Sequence, residues 1–374
     1  MLLGTALLEA DEAQQAEAAL AEGAEAAAAA GLPALHARIR VLLADIHASQ
    51  SGPGQEALAE CEAAAAVLEA EGDLEGLAEA WRLASKIRMW LGDSPADQQA
   101  LERAIAYASQ GGHRRLQMRA SGNLVATFQM LPIPADAAIA RAGQLLQTAN
   151  GEPWAEAEIL MPLSLLYAYA GHFADAREAI ARAQSVYDRS EAKFTRAIVA
   201  AASGLIELIA GDAATAERHL REAYEAFHAT GDRGPLSTLA TLLADALYAQ
   251  GRLQEAQQMT EHAQAAAPPG DIDAQARWRA ARAKVLARGG QFPAARTLLD
   301  EAAALVSSTS WAALQAEILM ARAEVDRLAG ERAQAEASLC AALHIYQDRH
   351  ATVLADQAAA ALASLAGQPR TEPA

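Results

Sequence analysis

Apolar residues recur along this chain at intervals of three and four. In ADALYAQ (244–250) and ARAEVDRLAG (321–330) they fall at i, i+3 and i+4, with polar residues between. That spacing lines one face of a helix. The amphipathic stretches do not run on as one long heptad pattern. Gly171, Gly211, Gly251, Gly290 and Gly330 interrupt them at steps of 40, 40, 39 and 40 residues. Glycine takes the positive φ that ends a helix at little cost. Five residues after each comes an alanine (Ala176, Ala216, Ala256, Ala295, Ala335), and twelve after comes another (Ala183, Ala223, Ala263, Ala302, Ala342). Residues seven apart share a helical face. Small ones there let the second helix of a pair lie close against the first. Pro132, Gly92, Gly52 and Glu12 carry the count toward the N-terminus. A second series of breaks falls midway: Gly31, Gly72, Gly112, Gly151, Asp188-Arg189-Ser190, Gly231, Gly270, Ser310 and Asp348. The pattern predicts an all-α solenoid of about nine antiparallel helix pairs, because a unit repeated at this period packs on its neighbours. Residues 1–366 read as one array, and GQPRTEPA (367–374) as a frayed polar tail.

Composition agrees with helix-on-helix packing. Apolar residues make up 52% of the chain, alanine foremost, against 5% aromatic, and the commonest residue types are strong helix formers. The net charge of −17 is uneven. Residues 1–80 hold 15 acids and two bases (Arg38, Arg40), leaving 32 acids and 28 bases for the remainder. Neither portion offers the basic face that replaces phosphate counterions, so direct nucleic-acid binding is not expected. Cys61 and Cys340 stand far apart and read as ordinary buried thiols in a reducing compartment. The N-terminus lacks a basic n-region, and Glu9 and Asp11 interrupt its apolar run, which is unlike a signal peptide. No apolar stretch reaches the ~18–20 residues that span a bilayer. A cytoplasmic location is the expectation.

Leu163, Tyr167, Gly171, Ala176 and Ala183 fall where the tetratricopeptide motif has its signature residues. The resemblance implies a right-handed α-α superhelix with a concave binding face, although units of about 40 residues exceed the family's usual 34. LPIPADAAIARAGQLL, GDRGPLSTLATLLADALYAQGRLQEA, DIDAQARWRAARAKVLARGGQF and AEILMARAEVDRLAGERAQAEASL resemble a narrower group. These are the C-terminal repeats of bacterial adenylate/guanylate cyclase–ATPase signalling proteins and of maltose-regulator-type transcription activators. The chain departs from them in having no cyclase, ATPase or helix-turn-helix segment. It contains no Gly-Lys dipeptide and therefore no phosphate loop. A stand-alone relative and a fragment of a longer regulator both fit.

No reactive constellation appears. The nine histidines are scattered, without an H-E-x-x-H pair or zinc spacing, and there is no G-x-S-x-G elbow. No enzyme activity, cofactor or metal is expected. In the tetratricopeptide fold that the resemblance implies, the first helix of each pair turns motif positions 2, 5, 9 and 12 to the concave face. Counting back from the turns places Glu79, Arg82, Lys86 and Met89 there, then Arg119 and Gln129. Further along come Thr238, Thr241, Asp245 and Tyr248, then Arg277 and Lys284, then Glu317, Met320, Glu324 and Arg327. Two of the three lysines, Lys86 and Lys284, map to this face and Lys193 does not. Two readings stand for the set. One is a basic-to-mixed polar groove that captures an acidic peptide tail or anionic ligand. The other is a row of solvated helix faces bridged to Glu and Asp. Met161, Leu165, Ile198, Leu205 and Leu208 occupy the same positions in two middle units. They form either an apolar patch or the seam of a superhelix that closes on itself. The expected function is a protein-interaction or regulatory scaffold that buries a partner segment on its concave face, in bacterial signalling or transcription control. The alternative is a small-molecule-sensing repeat domain.

Overall fold

The computed structural model describes Met1, Leu3 and residues 13–51, 54–188, 193–230 and 235–366. These residues contain helices and no strand. The chain divides into two compact units, 1–127 and 128–374. Unit 1 contains α1 (Ala13–Ala29), α2 (Pro33–Ser51), α3 (Gln55–Ala70), α4 (Leu74–Trp90), α5 (Ser94–Gln110) and α6 (Arg114–Phe128), whose last residue begins unit 2. Unit 2 continues with α7 (Ala135–Thr148), α8 (Pro153–Tyr169), α9 (Phe173–Tyr187), α10 (Lys193–Ala210), α11 (Ala213–Thr230) and α12 (Leu236–Ala249). It ends with α13 (Leu253–Ala266), α14 (Ile272–Arg288), α15 (Phe292–Val306), α16 (Ala312–Leu328), α17 (Arg332–Asp348) and α18 (Thr352–Ala366). The eighteen described helices make nine pairs' worth of a tetratricopeptide-like solenoid.

The helix boundaries follow from local chemistry. All five turn glycines from Gly171 to Gly330 have φ between +74° and +85°. At Gly171 the helix closes with two reversed bonds, His172 N–H to the Tyr167 carbonyl (2.9 Å) and Gly171 N–H to the Ala168 carbonyl (3.0 Å). This satisfies carbonyls that the helix end leaves free. Asp73, Asp93, Asp212 and Asp271 cap the following helices by accepting main-chain N–H groups at 2.9–3.1 Å. Two left-handed turns fall on residues other than glycine, Asn150 (φ 55°) and His350 (φ 50°). Of the expected breaks, Glu12, Gly52, Arg189, Ser190 and Gly231 lie outside the described residues, as does the tail 367–374.

The ten repeated alanines of the second helices all have 0% exposure. They let α9, α11, α13, α15 and α17 lie against the even-numbered helices before them. Even-numbered neighbours also touch one another: α8 meets α10, α12 meets α14, and α14 meets α16. Larger side chains fill the remaining layers. In unit 1, Leu68, Leu77, Leu83 and Ile87 form one core. In unit 2, Leu220, Phe227, Leu243 and Leu247 form another, and Leu299, Trp311, Leu314 and Ile318 a third. Cys61 is buried as expected, and its thiol pKa is pushed up to about 12 by burial. Cys340 is not buried. It lies three residues past Ala337 on the exposed side of α17.

Candidate functional site

Residues one period apart occupy the same place on adjacent even-numbered helices, so their side chains face each other. In unit 2 this builds a polar seam across α12, α14 and α16. Lys284 of α14 donates to Asp245 of α12 at 2.6 Å, 39 residues away. Arg277 donates to Asp273 on its own helix (2.8 Å) and to Glu317 of α16, 40 residues on. Arg288 Nε donates to the Tyr248 hydroxyl at 2.9 Å, and that hydroxyl donates to Glu324 at 2.6 Å. Arg327 lies 3.9 Å from Glu324. Lys284 and Arg288 also stand over the Tyr248 ring, at 5.5 and 5.4 Å from its centre, in cation–π geometry.

The electrostatics follow from depth. Burial opposes the charge on Lys284, but Asp245 and Glu324 outweigh it and hold the ammonium above its usual range. Burial likewise opposes Arg277, and Asp273 and Glu317 overcome it. Burial pushes the Tyr248 hydroxyl up to about 12, with Glu324 adding to the effect. The Tyr169 hydroxyl, at the end of α8, is also pushed up to about 12 by burial, with Glu317 adding to it.

Eleven of the sixteen residues expected on the concave face belong to unit 2. Asp245, Tyr248, Arg277, Lys284 and Arg327 come together in the seam. Thr241 departs from the expectation. It is 3% exposed and donates to the Ser237 carbonyl of its own helix (2.9 Å), so it offers nothing to a partner. Gln129 donates to the Pro162 carbonyl at 3.2 Å. In unit 1, Lys86 donates to Asp45 (2.8 Å, 41 residues away) and stands 4.7 Å over Trp90. Arg82 pairs with Glu79 (2.8 Å), Met89 is half-buried, and Arg119 is exposed on α6.

Of the two readings, the pairing matches helix faces bridged to Glu and Asp. Arg82 and Lys86 of unit 1 each face a carboxylate, as do Arg277 and Lys284 of the seam, so both sets are mixed and largely neutralised. The apolar set is half-buried against the core. Met161, Leu165 and Leu205 pack in one cluster with Val353 of α18, and Ile198 and Leu208 pack onto the α11–α12 core. Sequence reasoning missed Asp273 and Arg288, although Arg288 lies one period after Tyr248. It also missed Tyr169, Tyr346 and Arg349, which sit at helix ends where no period signals them. An open cleft of about 400 Å³ lies between α15, α16 and α17. Its arginines are paired, Arg296 with Asp326 (3.0 Å) and Arg322 with Asp300 (2.7 Å). No helix among the described residues is long and apolar enough to cross a membrane, and no cluster of three metal-binding side chains occurs among them.

No family model and no curated protein matches the sequence. Solved structures do. A Rap protein complexed with Competence and Sporulation Factor is similar over 98% of this chain and 97% of its own, at 13% identity and a TM-score of 0.53. Yeast Tom70 is similar over 86% of this chain and 64% of its own, at 13% identity and a TM-score of 0.48. The Rap conjugation gene regulator of the plasmid pLS20, in complex with the Phr* peptide, is similar over 80% of this chain and 77% of its own, at 13% identity and a TM-score of 0.44. At such identities the likeness is one of fold.

Proposed function

We propose that the chain is a non-catalytic interaction scaffold that holds a partner segment against the inner helices α12, α14 and α16. The observation that carries this is the polar seam itself. Charged side chains recur at equivalent positions of successive repeats (Asp245, Lys284 and Glu324; Arg277 and Glu317), where an extended segment crossing the helices meets them in turn. A partner segment binds by exchanging these internal pairs for its own charges and main-chain groups. The pairs keep the buried charges compensated until then. The fold shared with a Rap protein captured with a bound factor supports the same reading. The setting we propose is cytoplasmic signalling or transcription control in a bacterium, as the resemblance to cyclase–ATPase and maltose-regulator repeats suggests. The small-molecule reading rests on the apolar stretch around Met161–Leu208, where Met161, Leu165 and Leu205 are half-buried against the α8–α10 core.

The test is affinity capture from cell lysate with the full chain, identification of the retained protein, and calorimetric titration of that protein once purified. Arg277→Gln/Lys284→Gln is expected to weaken binding about tenfold or more, about 1.4 kcal/mol. Arg82→Gln/Lys86→Gln reports separately on unit 1. Unchanged affinity in the first variant removes the seam as the binding face.

A further inference from the structure

The last elements of unit 2 return to its first. The Arg349 guanidinium donates to the main-chain carbonyls of Gln129 and Met130, 219–220 residues away. The Ala135 N–H donates to the Arg349 carbonyl at 2.9 Å. Thr352 Oγ1 donates to the Ala170 carbonyl at 2.8 Å, and Gln357 Nε2 to the Ile209 carbonyl at 3.4 Å. His350 Nδ1 lies 3.2 Å from Asp136, both exposed. Val353 sits beside Gly171, where an added Cβ would meet it at 3.1 Å.

This closure differs in kind from the packing that holds α18 on its own neighbours. Beneath α18, Ala316, Ala342, Tyr346, Ala351 and Ala358 form a continuous buried cluster. Toward α8 the contact is slight and rests on the few directional bonds above. Three features weaken it further. Among the described residues no carboxylate stands within ion-pair distance of Arg349, and its burial depresses the guanidinium pKa. A half-buried cation whose hydrogen bonds go to carbonyls carries a desolvation cost that a carboxylate would offset. A cavity of about 30 Å³, roughly the space of one water, remains among Phe128, Ile133, Leu166, Tyr346 and Leu354. The chain enters the contact through His350 at φ 50°, a conformation that is costly for a residue with a Cβ.

We propose that the segment Arg349–Gln357 is a releasable clasp, and that unit 2 opens like a spring when it lets go, exposing the seam around Lys284 with α18 still seated on α16 and α17. The second half rests on the function proposed above. Small rotations at each repeat interface add up along a solenoid, so no single interface has to break.

The chain supplies its own probes. Cys340 is exposed on α17 and Cys61 is buried. Glu178→Cys, exposed on α9, adds a second labelling site across the clasp. Spin labels on Cys340 and position 178 of the full chain should give one narrow distance distribution. Arg349→Ala should lengthen it by about 5 Å or more, the scale of a domain opening. Thr352→Ala/Gln357→Ala, which alters only exposed side chains, should shift it in the same direction. It covers the case in which Arg349→Ala fails to fold. Acetylation of Lys284 relative to Lys86, read by mass spectrometry, should rise about threefold in either variant, as expected when a local opening is favoured. An unchanged distance distribution in both variants overturns the clasp. A longer distance with an unchanged Lys284:Lys86 ratio overturns the exposure of the seam. No partner enters these readouts, so failure of the clasp and failure of partner binding are seen separately.

Discussion

Asp97 shows how a repeat imposes an environment on a single residue. It falls five positions after Gly92, in the slot that five other units fill with alanine. The register buries it to 1% exposure near the start of α5. Ser85 donates to one carboxylate oxygen at 2.6 Å and Thr127 to the other at 2.8 Å. Burial outweighs these bonds and pushes the carboxyl pKa up to about 6, from 3.8. The folded state therefore holds this proton more tightly than the unfolded chain does. Asp97 penalises folding least below about pH 4, and its cost grows as pH rises through 4–6. A shift of about two units corresponds to roughly 3 kcal/mol. Asp97→Asn keeps the shape and cannot ionise. In urea melts at pH 4, 5, 6 and 7, the variant should gain on the native chain by up to about 3 kcal/mol across that range. A difference independent of pH would show that Asp97 stays charged in the fold.

At the scale of the helix pair, small residues set the spacing, and ion pairs with a buried carboxylate fix the register. A Cβ at Gly204 of α10 would lie 2.5 Å from Leu220 Cγ of α11. Gly204→Ala is therefore expected to cost about 1–3 kcal/mol by overpacking, despite alanine's better helix propensity. Thermal melts check it, and a stabilised variant would mean the two helices separate freely. Arg177, six residues after Gly171, makes two 2.7 Å bonds to Glu207, four residues before Gly211. Arg296 and Asp326 repeat that arrangement around Gly290 and Gly330. Glu207 and Asp326 are 8% and 5% exposed. Removing only the cation strands a buried carboxylate. Arg177→Ala should cost about 1–2 kcal/mol, the guanidinium being half exposed, and Arg177→Ala/Glu207→Leu should recover most of it. If the double variant is no more stable than the single, the pair contributes something beyond mutual compensation. Both devices were legible in part. The alanine columns and turn glycines stand out because every copy repeats them. The ion pairs recur in only two units, so a column-by-column reading passes over them.

The whole chain shows where periodicity stops being informative. A count of 40 residues fixes which helices pair and which side chains face each other across α12, α14 and α16. It does not fix the curvature, because a few degrees per repeat decide whether unit 2 stays open or meets itself at Arg349. Met161 and Leu165 could accordingly be read as a binding patch or as a closed seam, and the 40-residue count does not separate the two. Thr241 was misplaced for a related reason: one residue of register turns a side chain ~100° around its helix. Charge is the global property that sequence states without ambiguity. The two bases of residues 1–80 are already engaged, Arg38 with Asp73 and Glu75, Arg40 with Glu60. Asp45, Glu62 and Glu79 pair with Lys86, Arg88 and Arg82, and the acidic excess left over repels itself. Raising salt from about 0.05 to 0.5 M shortens the screening length to a few ångströms. That relieves self-repulsion in α1–α3 but weakens pairs such as Lys284–Asp245. Hydrogen exchange followed by segment should therefore slow in α1–α3 as NaCl is added, and hold steady or quicken in α12–α16. Equal slowing in both would mean that salt acts through apolar burial rather than charge, and that the acidic excess of residues 1–80 is no burden on unit 1.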